Sequence, residues 1–202
     1  ELDLALMIKA IKETQPLVIF LAYPNNPTSN LFNEQDIKEI LKIAPGMVIV
    51  DEAYAPFADA SFINKLPEHE NLLVMRTVSK LGLAGLRLGF IAGNKAIIEQ
   101  LNKIRLPYNI NCLTQATANF ALKNQDLFDQ QTQQICHDRS FVLNQLNQLP
   151  TLTAYPSAAN FILFKTKKNQ APFIFERLKK YEAITVGELS TYRYGQKMYG
   201  DE

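Results

Sequence analysis

"PLVIFLAYPNNPTSN", residues 16–30, joins an apolar run to a rigid polar elbow. Residues 16–22 are continuously apolar, the pattern of a parallel strand covered on both faces. The following eight residues hold two prolines, three asparagines and no charge. Proline fixes φ and asparagine accepts turn conformations, so the chain reverses sharply and stiffly here. An elbow of this kind is either a turn alone or a turn that aims Asn26 at a ligand held at the strand end.

The flanking sequence repeats the pattern. "MVIVDEAY" (47–54), "NLLVMRTV" (71–78) and "RLGFIAG" (87–93) read as further strands. Between them, "NEQDIKEILKIA" (33–44) reads as a helix. Asn33 is placed to cap it, Phe32 to staple onto Ile37, and Ile37, Ile40, Leu41 and Ala44 to form its buried stripe. "NKAIIEQLNKI" (94–104) is a second helix with Asn94 as cap, and the opening "ELDLALMIKAIKET" also has helical spacing, with no cap expected. Strands alternating with helices predict an α/β fold with a mostly parallel sheet. A long, interrupted helical region from about Leu113 to Leu149 follows, then a strand at 160–165 and a helix at 171–181, predicting a smaller α+β unit.

Bulk properties narrow the function classes. The 202 residues are 47% hydrophobic and 20% charged, with a net charge of +1, an ordinary soluble balance. No strong field points to nucleic acid or a membrane surface, and no apolar run is long enough to span a bilayer. Cys112 and Cys136 lack metal or redox spacing and read as reduced thiols of a cytoplasmic protein. His69 and His137 read as surface residues, and no metal site is expected, because histidines, cysteines and acids are not clustered.

In open α/β sheets, ligands bind beyond the carboxyl ends of the strands. Three successive strand ends here carry "NNPT", "DEAY" and "TVSK". Taken singly, each residue has a plain explanation: Asn26 a turn, Asp51 a cap, Tyr54 the core edge, Lys80 a solvated cation, Arg87 an ion-pair partner. Together they fall where one crevice would gather them. "LGLAGLRLG" follows Lys80, with three glycines where the backbone must turn or pass close to something. A lysine, a carboxylate and an anion pocket are what pyridoxal phosphate requires of a protein.

"YPNNPTSN", "VDEAYAPF" and "RTVSKLGLAGLRLGF", in this order, resemble the class I/II aminotransferases of fold type I, and within them the histidinol-phosphate aminotransferases. "LPYNINCLTQATA" and "SAANFILF" extend the resemblance to about residue 165. It implies that pyridoxal 5'-phosphate is the cofactor, with Lys80 forming the Schiff base and moving the proton, and Asp51 holding the ring nitrogen protonated. Asn26 and Tyr54 would bond the ring's phenolic oxygen. Thr77, Ser79 and Arg87 would bind the phosphate, and Asn160, with Asn26, would lie near the substrate. Residues 1–115 would be part of the cofactor-binding large domain, and 116–202 a linking helix and small C-terminal domain. The implied reaction is amino transfer between L-histidinol phosphate and 2-oxoglutarate in histidine biosynthesis. An aromatic amino-acid aminotransferase or a threonine-phosphate decarboxylase shares the same cofactor set. A catalytically incomplete fragment that keeps only the fold is a third expectation.

The chain also departs from the family. Ser29 stands where glycine is usual, and Ala183 where the family has an arginine for the substrate carboxylate, with Arg177 and Arg193 as possible substitutes. The tail after Gly187 matches no family pattern. The family's phosphate-cupping loop and ring-stacking aromatic would precede Glu1, so a longer protein and a homodimer are expected. The partners expected are an amino donor and a 2-oxo acid.

Overall fold

The computed structural model describes residues 2–180. Its centre is a four-stranded sheet in the order β1 (Val18–Ala22), β2 (Met47–Asp51), β3 (Leu72–Thr77) and β4 (Gly89–Gly93). β1, β2 and β3 are parallel, with Ala22 opposite Asp51 and Asp51 opposite Met75. β4 runs antiparallel to β3, pairing Thr77 with Gly89. The reason lies in the 78–88 connection, which holds two short 3-10 turns and no crossover helix, so the chain can only double back. At Gly89 a Cβ would stand 2.8 Å from the Arg76 carbonyl oxygen, so this pairing requires a residue without one.

Helix α1 (Leu4–Thr14) begins at a cap that the sequence reading left out: the Asp3 side chain accepts the Leu6 N–H at 3.0 Å. Helix α2 (Glu34–Ile43) is capped by Asn33 and helix α3 (Lys95–Ile104) by Asn94, both as expected. Ile37, Ile40 and Leu41 of α2 press on Ile19, Leu21, Val48, Val50, Leu72 and Val74 of the sheet, with Ile11 of α1 alongside. The strand at 16–22 is not covered on both faces: Ile19 and Leu21 are buried, but Val18 is 45% and Phe20 64% exposed. Among the described residues, only one face of β1 has been given a cover.

The long helical region is two helices, α4 (Cys112–Lys123) and α5 (Gln125–Asn147), broken at Asn124. A two-stranded antiparallel ribbon, β5 (Leu152–Ala154) with β6 (Phe164–Thr166), follows, and then α6 (Ala171–Lys180). The strand expected at 160–165 is displaced, because residues 157–161 form a loop. Ser157 Oγ accepts the Ala159 N–H at 3.1 Å and donates to the Phe161 carbonyl, which takes this stretch out of strand geometry. Among the described residues no helix is long and apolar enough to cross a membrane.

Candidate active site

The carboxyl ends of β1, β2 and β3 lie side by side, so the segments that leave them are neighbours in space. Leaving β1, the elbow turns through cis peptide bonds at Tyr23–Pro24 and Asn26–Pro27. The Asn25 carbonyl accepts the Ser29 N–H at 2.8 Å, closing the turn, and Thr28 bridges the side chains of Asn25 and Asn30. Ser29 is fully buried with φ +59°, the left-handed region that a side chain resists. Glycine is the natural occupant there, so the departure at Ser29 is a conformational burden and not a neutral exchange.

That elbow delivers Asn26 to Tyr54: Asn26 Nδ2 donates to Tyr54 Oη at 3.2 Å across 28 residues of chain. Tyr54 itself is buried, edge-on to Phe161 with ring centroids 5.2 Å apart. Lys80 reaches the same ring, with Nζ 5.0 Å from its centroid. The ring's electron-rich face attracts the ammonium, which orients the lysine toward the strand ends.

Asp51 ends β2. It is half-buried, its Oδ1 accepts the Ala53 N–H at 3.0 Å, and its pKa is raised above the ordinary 3.8. Burial causes the rise; the Ala53 N–H and the nearby Lys80 charge oppose it. Thr77 ends β3. Its Oγ1 accepts the Ser79 N–H at 3.0 Å and lies 2.9 Å from Ser79 Oγ and 3.1 Å from the Leu88 carbonyl. Two hydroxyls are thus held together on a tight turn, as an anion site requires.

Asn26, Tyr54, Lys80 and Asp51 therefore form one group, with Thr77 and Ser79 at its edge. Arg87 is less committed. It sits exposed at φ +50° and its Nη1 donates to the Ala84 carbonyl of its own turn at 3.2 Å. Asn160 is exposed, beside Ala159, which is packed with Tyr54 and Phe57 in a small second core. Arg177 rests over Phe173, 5.7 Å from its ring, and Ala183 and Arg193 lie outside the described residues. Of the glycines after Lys80, Gly82 has φ +82° and needs to be glycine, whereas Gly85 faces open space. His137 is exposed as expected, but His69 is half-buried, and its Nε2 is enclosed without a hydrogen-bond partner. Among the described residues no three metal-ligating side chains converge.

Two features escaped the sequence reading. Glu52, next to Asp51 but on the other side of the strand, is enclosed: Ser61 Oγ and the Phe62 N–H donate to it, and Arg76 Nε and Nη2 donate at 2.9 and 2.8 Å. This pair ties β2 to β3 one residue from Asp51 and from Thr77. Glu52, Arg76 and Thr77 border a hollow of about 910 Å³, and Asp51, Arg76 and Thr77 border another of about 790 Å³ with Met75, Ile91 and Ile98. Arg139 of α5 donates to the Phe57 and Ala159 carbonyls. The acid in "DEAY" and an arginine in a helix carry no local signal of such distant partners.

The chain is similar to proteins already known. A family model for aminotransferase class I and II matches residues 1–197. Histidinol-phosphate aminotransferase 2 of Nitrosococcus oceani is 52% identical over 179 residues, covering 89% of this chain and 50% of that protein. Histidinol-phosphate aminotransferase 1 of Ralstonia nicotianae is 50% identical over 188 residues, with 91% and 50% covered. The crystal structure of histidinol-phosphate aminotransferase from Sinorhizobium meliloti in complex with pyridoxal-5'-phosphate superposes with a TM-score of 0.80 at 26% identity, covering 91% of this chain and 52% of that one. The chain spans about half the length of these relatives.

Proposed function

Since this chain belongs to the class I and II aminotransferase family, we propose that the protein transfers an amino group between L-histidinol phosphate and 2-oxoglutarate, using pyridoxal 5'-phosphate, in histidine biosynthesis. The observation that carries this reading is the group formed by Asn26, Tyr54, Lys80 and Asp51 at adjacent strand ends. Curated relatives bearing the histidinol-phosphate aminotransferase name support the choice of substrate.

The residues fit the cofactor chemically. When bound, pyridoxal phosphate supplies an electron sink that stabilises negative charge on the substrate's α-carbon. Lys80 would hold it covalently through Nζ and, once displaced by substrate, carry the proton to and from that carbon. Asp51 would sit against the ring nitrogen and keep a proton on it. A carboxylate that is half-buried and short of partners gains most from acquiring a cationic one, which is why its raised pKa suits the role. Asn26 and Tyr54, already bonded to each other, would share the ring's phenolic oxygen. Thr77 and Ser79 would donate hydroxyls to the phosphate, and Arg87 would swing from the Ala84 carbonyl to add a charged fork. Asn160 and Asn26 would contact the substrate.

We place residues 1–115 in the cofactor-binding large domain and 116–202 in a linking helix and small C-terminal domain. We take the working protein to be a cytoplasmic homodimer. The test is covalent trapping. Borohydride treatment of the cofactor-loaded protein attaches the cofactor to Lys80, and Lys80→Ala abolishes the attachment and the turnover. Label on another lysine removes Lys80 from this role. Rates on a panel of amino donors then decide the substrate, and a preference for aromatic amino acids over L-histidinol phosphate overturns that part.

A further inference from the structure

Arg139 lies on α5, far along the chain from β2, yet it reaches the turn that follows that strand. Its Nη1 donates to the Phe57 carbonyl at 3.0 Å and to the Ala159 carbonyl at 2.9 Å. Among the described residues no carboxylate pairs with it. A half-buried guanidinium satisfied by two main-chain carbonyls holds two backbones at a fixed separation, because each carbonyl must point at the same nitrogen.

The two backbones are informative. Phe57 ends the 3-10 turn that begins at Tyr54, with its N–H donating to the Tyr54 carbonyl at 3.0 Å. Ala159 directly precedes Asn160. Cys136, one turn before Arg139, points its Sγ at the same Phe57 carbonyl at 3.6 Å. On its far side the 157–161 loop is pinned to the elbow, where the Ala158 N–H donates to the Ser29 carbonyl at 2.7 Å. Two hydrogen bonds with groups outside the loop thus fasten it, one of them from Arg139, while Ala159 and Phe161 pack on Tyr54. Asn26 and Tyr54 are held to each other by their own hydrogen bond, which does not pass through Arg139.

We infer that Arg139 is a positioning residue that sets the 157–161 loop, and with it Asn160, against the Tyr54 segment, and so governs substrate affinity and not cofactor affinity. The inference rests on the proposed transamination for its kinetic consequence, but the coupling itself is a property of the backbone. Arg139→Met removes both donors and keeps most of the apolar stem. In the natural full-length protein, hydrogen–deuterium exchange at residues 157–161 and 55–58 rises, with the sheet amides unchanged. KM for both the amino donor and the 2-oxo acid rises about tenfold, ~1.4 kcal/mol of affinity, while cofactor Kd and kcat stay within about twofold. Asn160→Ala gives the same pattern, and the double variant is no worse than the worse single one. Unchanged exchange in both segments overturns the inference, as does an equal loss of cofactor affinity. Arg139→Gln repeats the measurement in case the methionine variant does not fold; failure of both to fold makes Arg139 a scaffold residue and also overturns it. If Arg139→Met raises exchange as expected but the wild-type protein transaminates nothing, the proposed reaction is refuted and the coupling stands.

Discussion

Asp51 carries a cost in the absence of a ligand. Its pKa in the folded chain lies above the ordinary 3.8, through burial first, with Ala53 and Lys80 opposing. The native state therefore binds the proton more tightly than the unfolded state. Stability present below the unfolded value is lost as pH rises through the folded one. Asp51→Asn carries no charge to desolvate. The cofactor-free variant is expected to melt above wild type at pH 7, with the gap closing as the pH falls toward ~4. Melting curves across that range check this, and a variant that melts lower at neutral pH contradicts it. If Asp51 has the role proposed for it, added pyridoxal phosphate is expected to invert the order, since only the carboxylate would pair with a protonated ring nitrogen. Ser29 is the second strained position. Its left-handed backbone costs roughly 1 kcal/mol, held in place by the Asn25 and Ala158 hydrogen bonds on either side.

Between β2 and β3 the enclosed pair Glu52–Arg76 acts on the separation of the strand ends. Glu52 has no exposed side-chain surface, and both its oxygens are satisfied. Arg76→Met would leave that carboxylate enclosed with only Ser61 and the Phe62 N–H, a loss of about 3–5 kcal/mol. Pairing it with Glu52→Gln should recover a substantial part. Denaturant midpoints of the two single variants and the double measure this; strict additivity would mean the two side chains do not act as a pair. This clamp also marks the limit of what the sequence discloses. Asn33 and Asn94 were readable as caps, and Asn26, Asp51 and Lys80 as a crevice, because each depends on residues within a few positions or on strand order. The partners of Glu52 and Arg139 are fixed by tertiary approach across 24, 82 and 20 residues. The antiparallel turn of β4 depends on a connection with no helix, which apolar periodicity does not report. The half-bare face of β1 was unreadable for a related reason: an apolar run shows that a strand can be covered, and not by what.

At the scale of the molecule, apolar surface is unevenly distributed. Leu17 and Phe20 beside and within β1, Leu113, Phe120 and Leu122 on α4, and Leu127 and Phe141 on α5 are each more than half exposed. Surface of this kind drives association when nothing covers it. Residues 1–202 produced alone are expected to bind a hydrophobic dye and to grow in mass with concentration, by light scattering. A monodisperse monomer that leaves the dye dark refutes this. The bond from Ala158 to Ser29 has a consequence in time as well as in space. A ribosome releases the strands of the sheet once residue 93 has cleared its exit, and the sheet can then assemble. The elbow's Ser29 carbonyl must wait for residue 158 to emerge before it meets its donor. A nascent chain halted between those points would carry an ordered sheet beside an unlatched elbow, and a protease supplied at that moment would cut near residue 29 while sparing the strands.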